Sequence, residues 1–313
     1  MNNLDLYSIG EMLIDFMPGN EEGSYIRNAG GAPANVAIAV SKNGLKAGFC
    51  GKMGDDDFGR FLIDKLSTYN VEKICEELTK DAITTMAFVT LREDGERSFT
   101  FARKPGADML LMTQEVKEKD IRRTKIVHAG SCSLSKGTAA DATRKALQLG
   151  SQNDKMVSFD VNYRNLMWDN DEQEAVKAIM EIMEYVDLLK ISEEEVEMVG
   201  GEDNLFSLIE QFHLTLVVET LGKQGAMCYF RNEKIFCPAG PEKAVDATGA
   251  GDAFWGGFLS SLLIQGIEKS IDIQRCHVEK ALRYGNISAG ICVRKKGAID
   301  SLPTRAEIEK KME

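Results

Sequence analysis

Asp246-Ala-Thr-Gly-Ala-Gly-Asp252, running directly into Ala253-Phe-Trp-Gly-Gly-Phe-Leu259, is the stretch on which the fold turns. Gly249, Ala250 and Gly251 let successive backbone N–H groups converge on one point. The apolar run after them predicts a buried helix whose positive end faces that point. The backbone alone would hold an anion there, with Asp252 beside it in the first helical turn. The same residues also read as a sharp strand-to-helix turn in which Asp252 only caps the helix. Two other nucleotide signatures fail on spacing. A dinucleotide fingerprint begun at Gly249 and Gly251 needs glycine where Phe254 stands, and neither Gly51-Lys52 nor Gly222-Lys223 is followed by Ser or Thr.

Working outward, short apolar runs at 126–129, 156–159, 186–189 and 215–218 alternate with segments long enough for helices. That alternation predicts an α/β fold with a mainly parallel sheet covered on both faces. Asp160, Lys190, Thr220 and Asp246 are each expected at the carboxyl end of a predicted strand, where open α/β sheets bind ligands. Gly30-Gly31-Ala-Pro-Ala-Asn35 predicts a turn that enters a helix, with Pro33 in its first turn and Gly44 ending it. A further helix opens on Asp55, Asp56 and Asp57. Residues 84–101 alternate with period two on either side of Asp94-Gly95, which predicts a β-hairpin. The pieces 12–30 and 82–104 do not fit the βα pattern and are read together as a small β appendage; 1–11, 31–81 and 105–313 form the core.

A formal charge of −11 without a dense Lys/Arg block argues against nucleic acid and membrane partners. It leaves nucleotide binding open, because backbone amides need no net positive charge. The seven cysteines show no CxxC pair, so neither a disulfide scaffold nor a zinc site is expected. No segment has the ~18 uncharged apolar residues of a membrane span, and the chain reads as cytoplasmic. Asp57-Phe58-Gly59 matches the metal-binding triplet of protein kinases, but none of the three histidines begins a His-Arg-Asp.

The Gly30-Gly31 turn with Asn35 and the Gly249 loop with Asp252, at this separation, resemble the paired signatures of the ribokinase-like carbohydrate kinases, the PfkB family, over essentially the whole chain. The resemblance implies a ribokinase-like fold with the β appendage as a lid over the sugar, and transfer of phosphate from ATP to a sugar hydroxyl. It implies Asp252 as general base and Gly249, Ala250 and Gly251 as the anion hole. Lys190-Ile-Ser192-Glu-Glu-Glu195 is similar to the family's Asn-x-x-Glu element, whose acidic residue organises Mg2+, so Glu195 would act through water; Ser192 stands where most members carry Asn. Gly10-Glu-Met-Leu-Ile-Asp15 and Phe101-Ala-Arg103-Lys-Pro-Gly-Ala107-Asp-Met-Leu-Leu111 resemble the fructokinase branch. Asp160-Val-Asn162-Tyr-Arg164 is shared with 2-keto-3-deoxygluconate kinases, the alternative branch.

The sugar contacts so implied are Asp15, Gly30, Gly31, Asn35, Arg103 and Arg164. Nucleotide contacts are Lys190, Ser192, Thr220, Gly222, Gly225 and Asn286, although residues 281–290 read equally well as core helix. Asp246, Thr248, Gly297 and Ser301 would cage a monovalent cation, K+, which as a hard ion wants oxygen ligands. A homodimer through the lid is expected, and the reading from a different class is a nucleotide-binding homologue that has lost catalysis. A carboxylate near ~4 at a helix N-terminus should ionise more readily still.

Overall fold

The computed structural model describes residues 3–19, 21, 23–75, 77–91 and 97–313. The chain opens with β1 (Leu6–Ile9), β2 (Leu13–Pro18), β3 (Tyr25–Gly30), α1 (Ala32–Lys42), β4 (Ala47–Cys50), α2 (Asp57–Thr68) and β5 (Glu72–Lys73). β6 (Met86–Leu91), β7 (Arg97–Ala102) and α3 (Glu118–Arg122) follow. Strands and helices then alternate through β8 (Ile126–Gly130), α4 (Thr138–Gln152), β9 (Met156–Asp160), α5 (Glu172–Ile182), β10 (Leu188–Ser192), α6 (Leu205–Phe212) and β11 (Leu216–Thr220). An antiparallel pair, β12 (Gly225–Phe230) and β13 (Glu233–Pro238), precedes α7 (Ala250–Ile264), α8 (Arg275–Cys292) and α9 (Arg305–Met312).

The large sheet runs β13-β12-β11-β10-β9-β8-β1-β4-β5 and is parallel from β11 to β5. Its inner strands are buried on both faces, which is why their sequences run apolar instead of alternating. Successive residues feed opposite layers. Val127 and Val157 pack with Ala146 of α4 and Ile179 of α5, while Ile126 and Met156 pack with α1, α2, α7 and α8. Helix α7 is apolar all round because it lies between α1 and α8. Its glycines allow that approach: a Cβ on Gly256 would come within 2.5 Å of Ala39, and one on Gly257 within 2.8 Å of Ser288.

The second sheet has the order β3-β2-β6-β7, antiparallel except for the parallel β2–β6 pair. The predicted hairpin is β6–β7, paired from Met86↔Ala102 to Leu91↔Arg97; its expected turn at Asp94-Gly95 lies outside the described residues. Phe16 seats this sheet on the core by stacking on Phe88 at 4.9 Å and meeting Phe58 of α2 edge-on at 5.7 Å. The Asp55–Asp57 run is a helix start, as expected: Asp56 accepts from the Gly59 amide at 2.7 Å and α2 begins at Asp57.

Candidate active site

Helix α7 begins at the carboxyl edge of the large sheet, and no side chain caps its N-terminus. Gly249 holds the turn with φ +76, and a Cβ there would lie 2.9 Å from that of Ala298, so only glycine fits. The Ala250 amide donates back to Ala247 O at 3.1 Å and is already satisfied. Ala250 thus closes the turn, and Gly251 and Asp252 follow it as first-turn residues, whose amides have no partner four residues back within the helix. Lys190 stands opposite, its Nζ 3.4 Å from where a Gly251 Cβ would be.

Asp252 takes a hydrogen bond from Asn35 Nδ2 at 2.7 Å, joining two motifs that lie far apart in sequence. Burial pushes the Asp252 carboxyl above the ordinary carboxylate range, and the charge of Asp160 adds to this against the pull of Asn35, Lys190 and Arg164. The direction is opposite to the lowering expected at a helix N-terminus, and burial is its largest cause. Lys190 Nζ donates to both Asp160 oxygens at 2.9 Å. Burial opposes its charge, but Asp160, Glu195 and Asp252 hold the ammonium above its usual range. Glu195 accepts from the amides of Tyr163 at 2.7 Å and Ser192 at 2.9 Å. Each of its oxygens keeps a lone pair, a fit for hydrated Mg2+ on bound phosphates and not for direct caging.

These residues line one cavity of about 700 Å3, a size suited to a small ligand. Asp15, Gly31, Asn35, Arg164, Lys190, Ser192, Glu195, Thr220, Gly222, Thr248, Gly249, Gly251 and Asp252 all border it. Asp15 projects from β2 on the small sheet, and burial pushes its carboxyl up to about 6, with Arg164 opposing and Asp252 reinforcing. Gly30 supports it from behind, because a Cβ there would strike Asp15 Oδ2. Gly31, at φ +112, passes so close to Glu11 O that a Cβ would sit 2.4 Å away.

Arg103 is not among the cavity-lining residues. Its Nε donates to Asp108 at 2.9 Å and its Nη1 to Ser135 Oγ at 3.2 Å, so the expected sugar contact is occupied inside the protein. Asn286 likewise gives its amide to Cys237 O at 2.9 Å and Pro238 O at 3.2 Å, fastening α8 to the end of β13 instead of facing the cavity. Gly225 begins β12 at φ +121, tight against Cys237 O, and serves the hairpin. Asp160, Lys190 and Thr220 lie at carboxyl ends of strands, whereas Asp246 lies in the irregular 239–249 segment, its amide held by Val293 O at 3.1 Å.

Asp246 clasps two loops. It accepts from the Thr248 amide at 2.9 Å, the Thr248 hydroxyl at 2.6 Å and the Gly297 amide at 3.1 Å. Ser301 donates to Gly297 O at 2.6 Å and shapes the second loop from within. The oxygens so gathered suit a hard monovalent cation.

Glu11 was not anticipated as a site residue. It lines the cavity, accepts from the Ala32 amide at 3.2 Å, and has a second oxygen without a hydrogen-bond partner among the described residues. Burial pushes its carboxyl up to about 7. The only sequence signal was a charge inside an apolar stretch. Asn35 Oδ1, also buried, is likewise unpartnered among the described residues. Unmet acceptors around a polar cavity fit a ligand rich in hydroxyl donors.

Residues 3–305 match the pfkB family carbohydrate kinases. Fructokinase-1 of Oryza sativa subsp. japonica is 39% identical over 316 residues, covering 98% of this chain and 97% of that relative. The solved fructokinase of Xylella fastidiosa with bound ATP superposes with a TM-score of 0.91 at 29% identity, over 99% of both chains. That of Vibrio cholerae O395, bound to fructose, ADP and calcium ion, gives 0.87 at 30% identity, again over 99% of both. With Asp252 on Asn35 at an uncapped helix and the match running nearly end to end, the chain belongs to the pfkB family of carbohydrate kinases and is a sugar kinase.

Proposed function

We propose that the protein is a fructokinase that transfers the terminal phosphoryl group of ATP to a hydroxyl of D-fructose. The observation that carries the reaction is the Asn35-held carboxylate of Asp252 beside the Gly251 amide and the Lys190 ammonium. A sugar hydroxyl is far too weak an acid to be ionised beforehand. Phosphoryl transfer, however, passes through a loose transition state, so Asp252 need only aim the hydroxyl in line and take its proton late. Its raised pKa makes it a stronger base than an exposed carboxylate. The Gly251 and Asp252 amides and Lys190 hold charge as it develops on the transferred oxygens.

Asp15, Asn35 and Arg164 bind the sugar in this reading, with Gly30 and Gly31 shaping their approach. Ser192, Thr220 and Gly222 border the nucleotide. Mg2+ held near Glu195 supplies charge neutralisation across the phosphates. A K+ ion fits between the loops clasped by Asp246. Residues 12–30 and 82–104 act as a lid that excludes water, a competing phosphoryl acceptor. Two protomers pair through that lid.

The deciding experiment is ATP consumption with fructose, 2-keto-3-deoxygluconate, ribose and adenosine. Fructose should be turned over fastest. A much faster rate with 2-keto-3-deoxygluconate or a nucleoside would move the protein to another branch, and no turnover with any of them would favour a nucleotide-binding homologue without catalysis.

A further inference from the structure

The chain passes between the two sheets four times, at the joints β1–β2, β3–α1, β5–β6 and after β7. Buried polar side chains knit these crossings together. Glu11 on the first accepts from Ala32 N on the second at 3.2 Å. Ile14 N, just past the first, donates to Thr85 O on the third at 3.0 Å. The Thr85 hydroxyl donates to one Asp108 oxygen, and on the fourth crossing Arg103 Nε donates to the other, Oδ2, at 2.9 Å, with Nη2 in ion-pair contact with that same oxygen at 2.8 Å. The remaining arm of Arg103 reaches Ser135 Oγ, which donates to Cys132 O at 2.6 Å; Cys132 borders the cavity.

The Arg103 and Asp108 side chains are only 6% and 2% exposed. A buried ion pair adds little net stability over apolar residues of similar volume, because desolvating both charges offsets their attraction. What it does add is direction, since a planar guanidinium held at Nε by Asp108 and at Nη1 by Ser135 keeps one orientation. Gly106 leaves room for it: a Cβ there would meet Arg103 Cγ at 2.8 Å.

We propose that Arg103 and Asp108 are positioning residues, a buried clamp at the root of the small sheet that sets how Leu13, Asp15 and Phe101 stand over Asn35 and Asp252. The clamp thereby governs sugar capture without touching the sugar. This rests on the reading of the small sheet as the lid of a fructokinase.

The test uses the full chain carrying Arg103→Met together with Asp108→Leu, which removes both charges at once and so leaves no unpaired buried charge. Amide exchange without any sugar should quicken in β2, β6 and β7 while β8 to β11 keep the parent's rates. KM for fructose should rise roughly tenfold, with KM for ATP within about twofold of the parent. Unchanged lid exchange and sugar KM in the folded variant would overturn the clamp, as would exchange rising equally in the core strands. Should the pair fail to fold, Arg103→Lys, which keeps the charge and loses the rigid plane that spans Asp108 and Ser135, takes the same measurements. If the parent does not phosphorylate fructose, the functional reading falls; exchange measured without sugar still decides the clamp.

Discussion

At the scale of single residues, Asp252 stands between burial, which favours its protonated form, and Asn35, Lys190 and Arg164, which favour the charge. Asp252→Asn keeps the size and removes the proton acceptor. If the residue served only to hold Asn35, whose amide an asparagine oxygen can still accept, turnover and Tm would both stay near the parent's. As the general base, its loss should lower kcat by roughly 10²–10⁴, about 2.7–5.4 kcal/mol of barrier, with the fold intact. A folded variant retaining more than about a tenth of kcat refutes the role. Glu11 gives a pH prediction of opposite kind. Its folded-state pKa is raised from 4.5 to about 7, so the folded protein binds this proton more tightly than the unfolded chain. Its cost is absent below pH 4.5 and grows as pH rises to about 7. At ~1.4 kcal/mol per pKa unit the penalty is on the order of 3 kcal/mol. Glu11→Gln keeps an acceptor for Ala32 N and never ionises, so its Tm should gain on the parent's between pH 5 and pH 8. A Tm difference that does not change with pH would refute the buried charge. Asp252 and its glycines were legible in the sequence because the motif is local. Glu11, and the use of Arg103 by Asp108, were not, because both depend on neighbours brought together only when the crossings meet.

At the scale of elements, the alternation of apolar runs and helices was enough to predict the parallel sheet, since burial on both faces leaves little alternation within a strand. It misplaced Asp246, because the 239–249 segment runs along the end of α8 instead of pairing as a strand. The consequence is a clasp between two loops, one leading into α7 and one following α8. A monovalent cation among the carbonyls of those loops would draw them in beneath the first turn of α7. Turnover should therefore be faster in potassium than in the same concentration of tetramethylammonium, which is too large to enter. Identical rates in the two salts would exclude a cation from this place.

At the scale of the whole molecule, the two sheets divide the work. The large sheet carries Lys190 on β10 while α1 and α7, packed on it, carry Asn35 and Asp252, and the small sheet carries Asp15 on β2, an inner strand between β3 and β6. β3 and β7 are the edge strands of the small sheet. On β3, Tyr25 is 47% and Ile26 53% exposed, an apolar pair on an edge that pairs with no further strand among the described residues. A second copy of this chain can satisfy both by pairing through a twofold axis, since one self-complementary patch then serves both protomers. Sedimentation should give twice the protomer mass at high concentration. Ile26→Lys should return the protomer mass, because pairing would bury an unmatched charge. The substitution lies on an exposed face, so the Tm of the separated protomer should change little. A protomer mass at every concentration in the parent would leave the small sheet a lid without a partner; a dimer that survives Ile26→Lys would place the contact elsewhere.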